Sequence, residues 1–316
     1  FLFGGIASIE EESKTPGEAL QVAIAGPLVS IGLFGILALI SLVLPASSLA
    51  NVMVTDLARV NLILALFNLI PGLPLDGGQV LKAAVWKVTG NRFQAVRWAA
   101  RTGQFLGWSA IATGAAIEFF TGELVSGLWL VLLGWFGIRH ASAYERITKL
   151  QEALLQLHAT DAMSHDFRVV DADMTLRAFA DLYLLETSAP QTYFAASDGR
   201  YRGMVSIDDL RLVERSQWET QTLHSIVHPL TEIPHVEEST SLVEVIIQME
   251  SQQLPRLTVL SPSGAIAGTI DRGDIIKAIA PKLNLRISEV EIKRVKEEGS
   301  YPLGLQLGLV AKSTKV

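Results

Sequence analysis

Asn68-Leu-Ile-Pro71-Gly-Leu-Pro74-Leu-Asp76-Gly-Gly78 sets a carboxylate and two prolines directly after an apolar run. Proline removes a backbone donor and clashes with the preceding helical turn, so the run cannot continue as a regular helix through this stretch. An ionisable residue at membrane depth is costly and marks a functional site. Broken backbone in a bilayer survives only where it is buried in protein or lines a wet cavity. Asp76 therefore reads as a ligand for a metal or another ion.

Working outward, the chain separates into an apolar half and a charged half. Of the 316 residues, 49% are hydrophobic and only 18% charged, with a mean hydropathy of +0.35, more apolar than an ordinary soluble protein. The apolar residues concentrate before residue 145. A net charge of −6 without a dense basic patch argues against nucleic acid as a partner. There is no cysteine, so any metal must be held by His, Asp or Glu.

Four membrane spans are expected in residues 1–150. Ala19 to Leu44 is uncharged and long enough to cross. Val60 to Leu75 reaches spanning length when extended back to Leu49, with Asp56 and Arg59 one turn apart as an interfacial pair. Gln79 to Val88 reads as a short amphipathic helix, and Asn91 to Arg101 carries Arg92, Arg97 and Arg101. Thr102–Ile117 and Leu124–Ile138 then form a tight helical hairpin around Phe-Phe-Thr-Gly-Glu. Basic residues gather between Lys82 and Arg101 and after Arg139, whereas the connection at Glu118 and Glu123 has none. The positive-inside rule then places residues 1–18, the Asp76 side and the C-terminal half in the cytoplasm. The expected location is a bacterial inner or plasma membrane, with the lipid bilayer as a partner.

Residues 151–283 contain an internal repeat. Gly203-Met-Val-Ser206-Ile-Asp-Asp209-Leu matches Gly268-Thr-Ile-Asp271-Arg-Gly-Asp274-Ile. Each copy follows a helical run (Leu176–Leu185, Leu242–Met249), a short strand (Gln191–Ala196, Arg256–Ser261) and a Gly-bearing turn (Asp198-Gly199, Ser263-Gly264). This βαββα order, given twice, resembles a tandem pair of CBS domains. The resemblance implies a regulatory module that dimerises and holds an adenine nucleotide. Ser206 would meet a phosphate, and Asp209 and Asp274 ribose hydroxyls, at a helix N-terminus. Asp271 stands where the second copy should carry a hydroxyl, and it would repel a phosphate. The alternative is that these acids serve as helix N-caps. Residues 284–316 begin with a charged helical stretch, Glu289–Glu298, and end in a tail.

Asn68-x-x-Pro71-x-x-x-x-Asp76-Gly77 resembles the second motif of site-2 proteases, the intramembrane zinc metalloproteases. Phe3-Gly4-Gly5-Ile-Ala and Ala25-Gly26-Pro27-Leu resemble segments that family carries just before and within its third core span. The fold class implied is a polytopic α-helical membrane domain followed by an α/β tandem CBS pair. Asp76 would be one protein ligand of a single catalytic Zn2+, and two histidines of a His-Glu-x-x-His helix would be the others, with its Glu as general base. Asn68 would orient the substrate or stabilise the oxyanion. The implied reaction is cleavage of a transmembrane protein substrate near the cytoplasmic face.

The sequence departs from the family in one respect: it has no His-Glu-x-x-His. Its six histidines are His140, His158, His165, His224, His228 and His235. His224 and His228 are four apart, but Ser225 takes the place of the Glu, and they read as surface or turn residues. The chain, beginning at Phe1, is therefore expected to be an N-terminally truncated, inactive piece of such a protease. Two other readings stand beside it. One is a CBS-gated transporter or channel with Asp76 coordinating an ion, and the other is a non-catalytic scaffold paralogue.

Overall fold

The computed structural model of the protein describes residues 13, 15–122, 124–183, 192–302, 305 and 307–314. It divides into two compact units between Glu152 and Ala153.

The first unit is helical. α1 (Pro16–Val43) starts where Thr15 accepts the Glu18 backbone N–H and the Glu18 carboxylate accepts that of Thr15, a reciprocal cap with proline at the first helical position. α2 (Leu49–Asn68) is capped by Ser48, and α3 (Asp76–Thr89) ends at Gly90 in the left-handed region. α4 (Arg92–Thr121) is capped by Asn91, and α5 spans Leu124–Leu155. α1, α2 and α5 are long and apolar enough to cross a membrane. Their outward Val22, Leu39, Val43, Leu57, Ile63, Leu128 and Trp129 are exposed, a surface suited to lipid. Of the four expected spans, α4 is the one whose composition falls short: even past Arg101, its Gln104, Gly, Ser and Thr residues and Glu118 dilute the apolar ones. Its 30 residues cover roughly 45 Å, enough to cross by length. The two segments read separately as Asn91–Arg101 and Thr102–Ile117 are this one helix, since nothing between them breaks it.

α4 and α5 form the expected hairpin across Gly122, whose N–H donates to the Glu118 carbonyl. Their seam is made of small residues seven apart: Gly107 and Gly114 on α4, and Gly127, Gly134 and Ala141 on α5 are all buried. A Cβ on Gly134 would lie 2.5 Å from the Gly107 carbonyl oxygen, and one on Gly127 would lie 2.7 Å from that of Gly114. Small residues allow this backbone approach where lipid supplies no hydrophobic drive for helices to associate. Toward the basic end, the Arg97 guanidinium donates to Glu152 at 2.9 Å, and the Gln104 amide donates to Ser142 and Glu145.

The second unit opens with a single turn, α6 (Ala159–Ala162). The first repeat is β1 (Phe167–Asp171), α7 (Leu176–Tyr183), β2 (Thr192–Ser197), β3 (Arg200–Val205) and α8 (Ile207–Leu212), followed by β4 (His228–Pro229). The second is β5 (His235–Glu237), α9 (Leu242–Ser251), β6 (Arg256–Leu260), β7 (Ile266–Asp271) and α10 (Arg272–Ile279). The βαββα order is thus present twice. In each copy the first strand pairs parallel with the second and the second antiparallel with the third. The β2–β3 turn uses Asp198 (φ 53°) and Gly199 (φ 70°), two successive left-handed residues as a tight hairpin demands. The expected ends Leu185 and Gln191 lie outside the described residues.

The repeats exchange their leading segments. Ser164 bridges Thr269 of β7, and the Leu242 N–H donates to the Leu157 carbonyl. Conversely, Thr222 bridges Thr175, and β4 joins β3. Phe179, Leu176, Tyr193, Leu210 and Leu223 fill the first repeat's core, so Leu223, from the segment leading into the second repeat, is buried in the first.

The expected C-terminal tail is in fact helical. After α11 (Glu289–Glu298), which packs on α10, α12 (Leu307–Thr314) lies against α9 and buries Leu307, Ala311 and Thr314. The i, i+4, i+7 spacing of those three makes one helical face.

Candidate functional site

Asn68 is the last residue of α2 and Asp76 the first of α3. Between them the chain turns, with a cis Leu73–Pro74 bond, and is anchored on α4. Leu73 is 1% exposed, and its N–H donates to the Ala99 carbonyl at 3.2 Å. A Cβ on Gly103 would sit 2.0 Å from the Leu73 carbonyl oxygen, so only glycine lets α4 come this close.

The Gly77-Gly78 pair, by residue type a helix breaker, does not form part of the break. Both residues are inside the first turn of α3, without positive φ. Their role is close approach: a Cβ on Gly77 would lie 2.3 Å from the Leu69 carbonyl oxygen, and one on Gly78 2.3 Å from the Leu73 nitrogen. Asp76 is half-buried at the helix N-terminus, where the helix dipole favours a carboxylate. It faces α1, and a Cβ on Gly26 would be 3.0 Å from Asp76 Oδ2. Phe3-Gly4-Gly5-Ile-Ala lies outside the described residues. Gly103 escaped the sequence reading, and the available signal was its helical spacing from Ala99, Gly107 and Ala110.

Among the described residues, no group of three or more His, Asp or Glu side chains could hold a metal ion. Asp76 offers one carboxylate, and the described residues by themselves do not fit a zinc centre. His140 contacts the Phe136 ring at 4.1 Å on α5. His224 and His228 take different partners, Asp173 at 3.1 Å and Asp209 at 2.8 Å, both exposed, as read from sequence.

The two strand-to-helix junctions of the second unit differ. At β3–α8, Ser206 is the N-cap and accepts the Asp208 N–H at 3.2 Å, while His228 Nε2 meets Asp209 Oδ2. At β7–α10, Asp271 is the N-cap and Asp274 closes a reciprocal capping box with it. These two carboxylates are 4% and 6% exposed. Lys296 of α11 places Nζ 2.7 Å from Asp274 Oδ1 and 3.3 Å from Asp271 Oδ2, and Arg256 lies 3.5 Å from the latter. Burial pushes the Asp274 carboxyl above the usual carboxylate range, with Asp271 adding to it and Lys296 opposing. Burial disfavours charge on Lys296, yet its bonds and attraction to the two carboxylates outweigh that and hold it above its ordinary 10.5. Beside them Arg272 donates to Glu250 at 2.9 Å and to the Leu254 carbonyl, and Tyr301 covers its guanidinium at 5.6 Å.

The architecture is that of a helical membrane protein carrying a pair of CBS repeats. Residues 46–110, which include Asn68, Asp76 and Gly103, match the model of peptidase family M50, and residues 225–281 match the CBS domain. The chain is 36% identical over 280 residues to a Synechocystis protein named "Putative zinc metalloprotease sll0528", covering 88% of this chain and 74% of that protein. It is 31% identical over 282 residues to "Putative zinc metalloprotease Rip3" of Mycobacterium tuberculosis, covering 88% and 72%. A solved site-2 protease from Methanocaldococcus jannaschii shares 30% identity over 42% of this chain and 58% of that one, with a TM-score of 0.33. The chain belongs to peptidase family M50, the site-2 proteases, and carries CBS repeats behind its membrane helices.

Proposed function

We propose that this chain is the part of an intramembrane zinc metalloprotease that presents Asp76 to the metal and a regulatory CBS pair to the cytoplasm. The substrate is a membrane-spanning protein, cut near the cytoplasmic face. The observation that carries this reading is the placement of Asp76. A helix breaks after Asn68, the break is anchored on α4 through Leu73 and Gly103, and α3 restarts with the carboxylate at its first residue. Such a break opens backbone and admits water at a depth that an intact helix denies. Asn68, at the other lip of the break, would orient an extended substrate. Zinc, when bound, supplies an activated water for hydrolysis.

In the gene product that carries this sequence, Asp76→Asn is expected to abolish zinc-dependent cleavage of a membrane-spanning substrate and to lower zinc content measured by inductively coupled plasma mass spectrometry. Membrane insertion should be unchanged. Wild-type zinc content and cleavage in that variant would sink the assignment.

For the CBS pair, we infer an adenine nucleotide at the first junction, with Ser206 toward a phosphate and Asp209 toward ribose hydroxyls, and self-association through the pair. Calorimetry of the chain in detergent with AMP, ADP and ATP tests the first part; absence of heat with all three removes it. Sedimentation tests the second.

A further inference from the structure

The second junction repeats the backbone of the first with its chemistry inverted. A phosphate at a helix N-terminus needs free N–H donors and no facing negative charge. At β7–α10 the Asp274 N–H is already given to Asp271 Oδ1 at 2.9 Å, and the Asp271 N–H to Asp274 Oδ2 at 3.2 Å. The remaining face of the two carboxylates receives the Lys296 ammonium. Gly273 is part of the same fit: a Cβ there would come within 2.5 Å of Lys296 Cγ and 3.1 Å of the Ile292 carbonyl oxygen, so the missing side chain is what lets α11 lie across the turn. Past α11, Tyr301 closes over Arg272, the residue between the N-cap and that glycine.

We propose that the β7–α10 junction is a socket for the ammonium group of the chain's own α11, closed to phosphate-bearing ligands. The CBS pair is then asymmetric by construction. One junction exchanges ligand with solvent, while the other is clamped by the C-terminal segment and keeps α10 fixed. The statement about which junction admits a ligand rests on the nucleotide reading of the first repeat; the clamp does not.

Hydrogen exchange measured by mass spectrometry on the full chain in detergent decides both parts. Lys296→Glu puts a third carboxylate into the socket, Gly273→Val fills the space under α11, and Lys296→Gln is the mild variant that keeps length without charge. Each is expected to raise exchange across 271–279 and 289–298, about tenfold or more for the first two and several-fold for the third, leaving 192–205 unchanged. Should the two severe variants unfold the whole unit, the mild one decides. Wild-type exchange over 289–298 in Lys296→Gln overturns the clamp. With 1 mM AMP on the wild-type chain, protection confined to 203–210 supports the asymmetry, and protection at 271–274 overturns it. If AMP protects neither segment while the variants loosen α11, the clamp stands and the nucleotide reading of the first repeat falls.

Discussion

Ser206 and Asp271 cap equivalent helices in the two CBS repeats, yet the junctions they close have opposite character. At the first, a hydroxyl caps α8 and the nearby acid, Asp209, meets His228 with both side chains partly in water. At the second, two buried carboxylates share Lys296 and Arg256. One scaffold thus supports an accessible polar site and a sealed ionic cluster. The difference lies in what the rest of the chain brings: β4 delivers an exposed imidazole to one, and α11 delivers an ammonium to the other.

Breaking the sealed junction should cost far more than breaking the open one. Arg272→Ala removes the guanidinium between Glu250, the Leu254 carbonyl and the Tyr301 ring. Leaving a mostly buried acid unpaired costs about 2–3 kcal/mol, at the low end for a buried pair because Glu250 keeps some access to water. Urea unfolding followed at β6 and β7 by hydrogen exchange should show it. Lys296→Met follows at about 1–2 kcal/mol by the same reasoning, since the lysine is one-third exposed and Arg256 remains beside Asp271. If it cost nothing, the two junctions would be energetically alike.

The same pair predicts an alkaline limit. Lys296 is held above 10.5 in the folded chain, so its contribution is fully present below that pH and is lost as pH rises through the raised value. α11 amides should therefore lose protection in strong alkali before those of β2 and β3, and Lys296→Met should weaken that pH dependence, leaving the part due to the Tyr301 phenol, whose pKa burial also raises. The smallest effect is expected at the open junction. His228→Ala should cost at most about 0.5–1 kcal/mol, because an exposed polar pair contributes little. Thermal melts of the two variants compared side by side sharpen the contrast, and an equal loss would erase it.

Much of this molecule is legible in its sequence. Thr15, Ser48 and Asn91 announce the starts of α1, α2 and α4 by side-chain capping, and Gly90 and Gly122 end α3 and α4 in left-handed turns. Pro71 and Pro74 mark the break before Asp76, and the repeated Gly-x-x-Ser/Asp-x-x-Asp pattern marks both strand-to-helix junctions. A residue whose purpose lies in a neighbour distant along the chain is not legible in this way. Gly77 and Gly78 look like helix breakers, but their function is contact with Leu69 and Leu73. The tail after Glu298 looks unstructured because Leu307 and Ala311 show a face too short to register alone, and it folds because α9 covers that face.

The amino-acid sequence by itself determined the apolar helices, the broken helix that presents Asp76 and the doubled βαββα order. Each of these follows from hydropathy, caps and turn residues acting within a few positions of one another. Tertiary structure alone decided that Gly103 receives the Leu73 carbonyl, that the repeats exchange their leading segments, and that Lys296 fills the second junction. Those outcomes depend on close approach and charge pairing between residues 22 or more positions apart, which no local periodicity encodes.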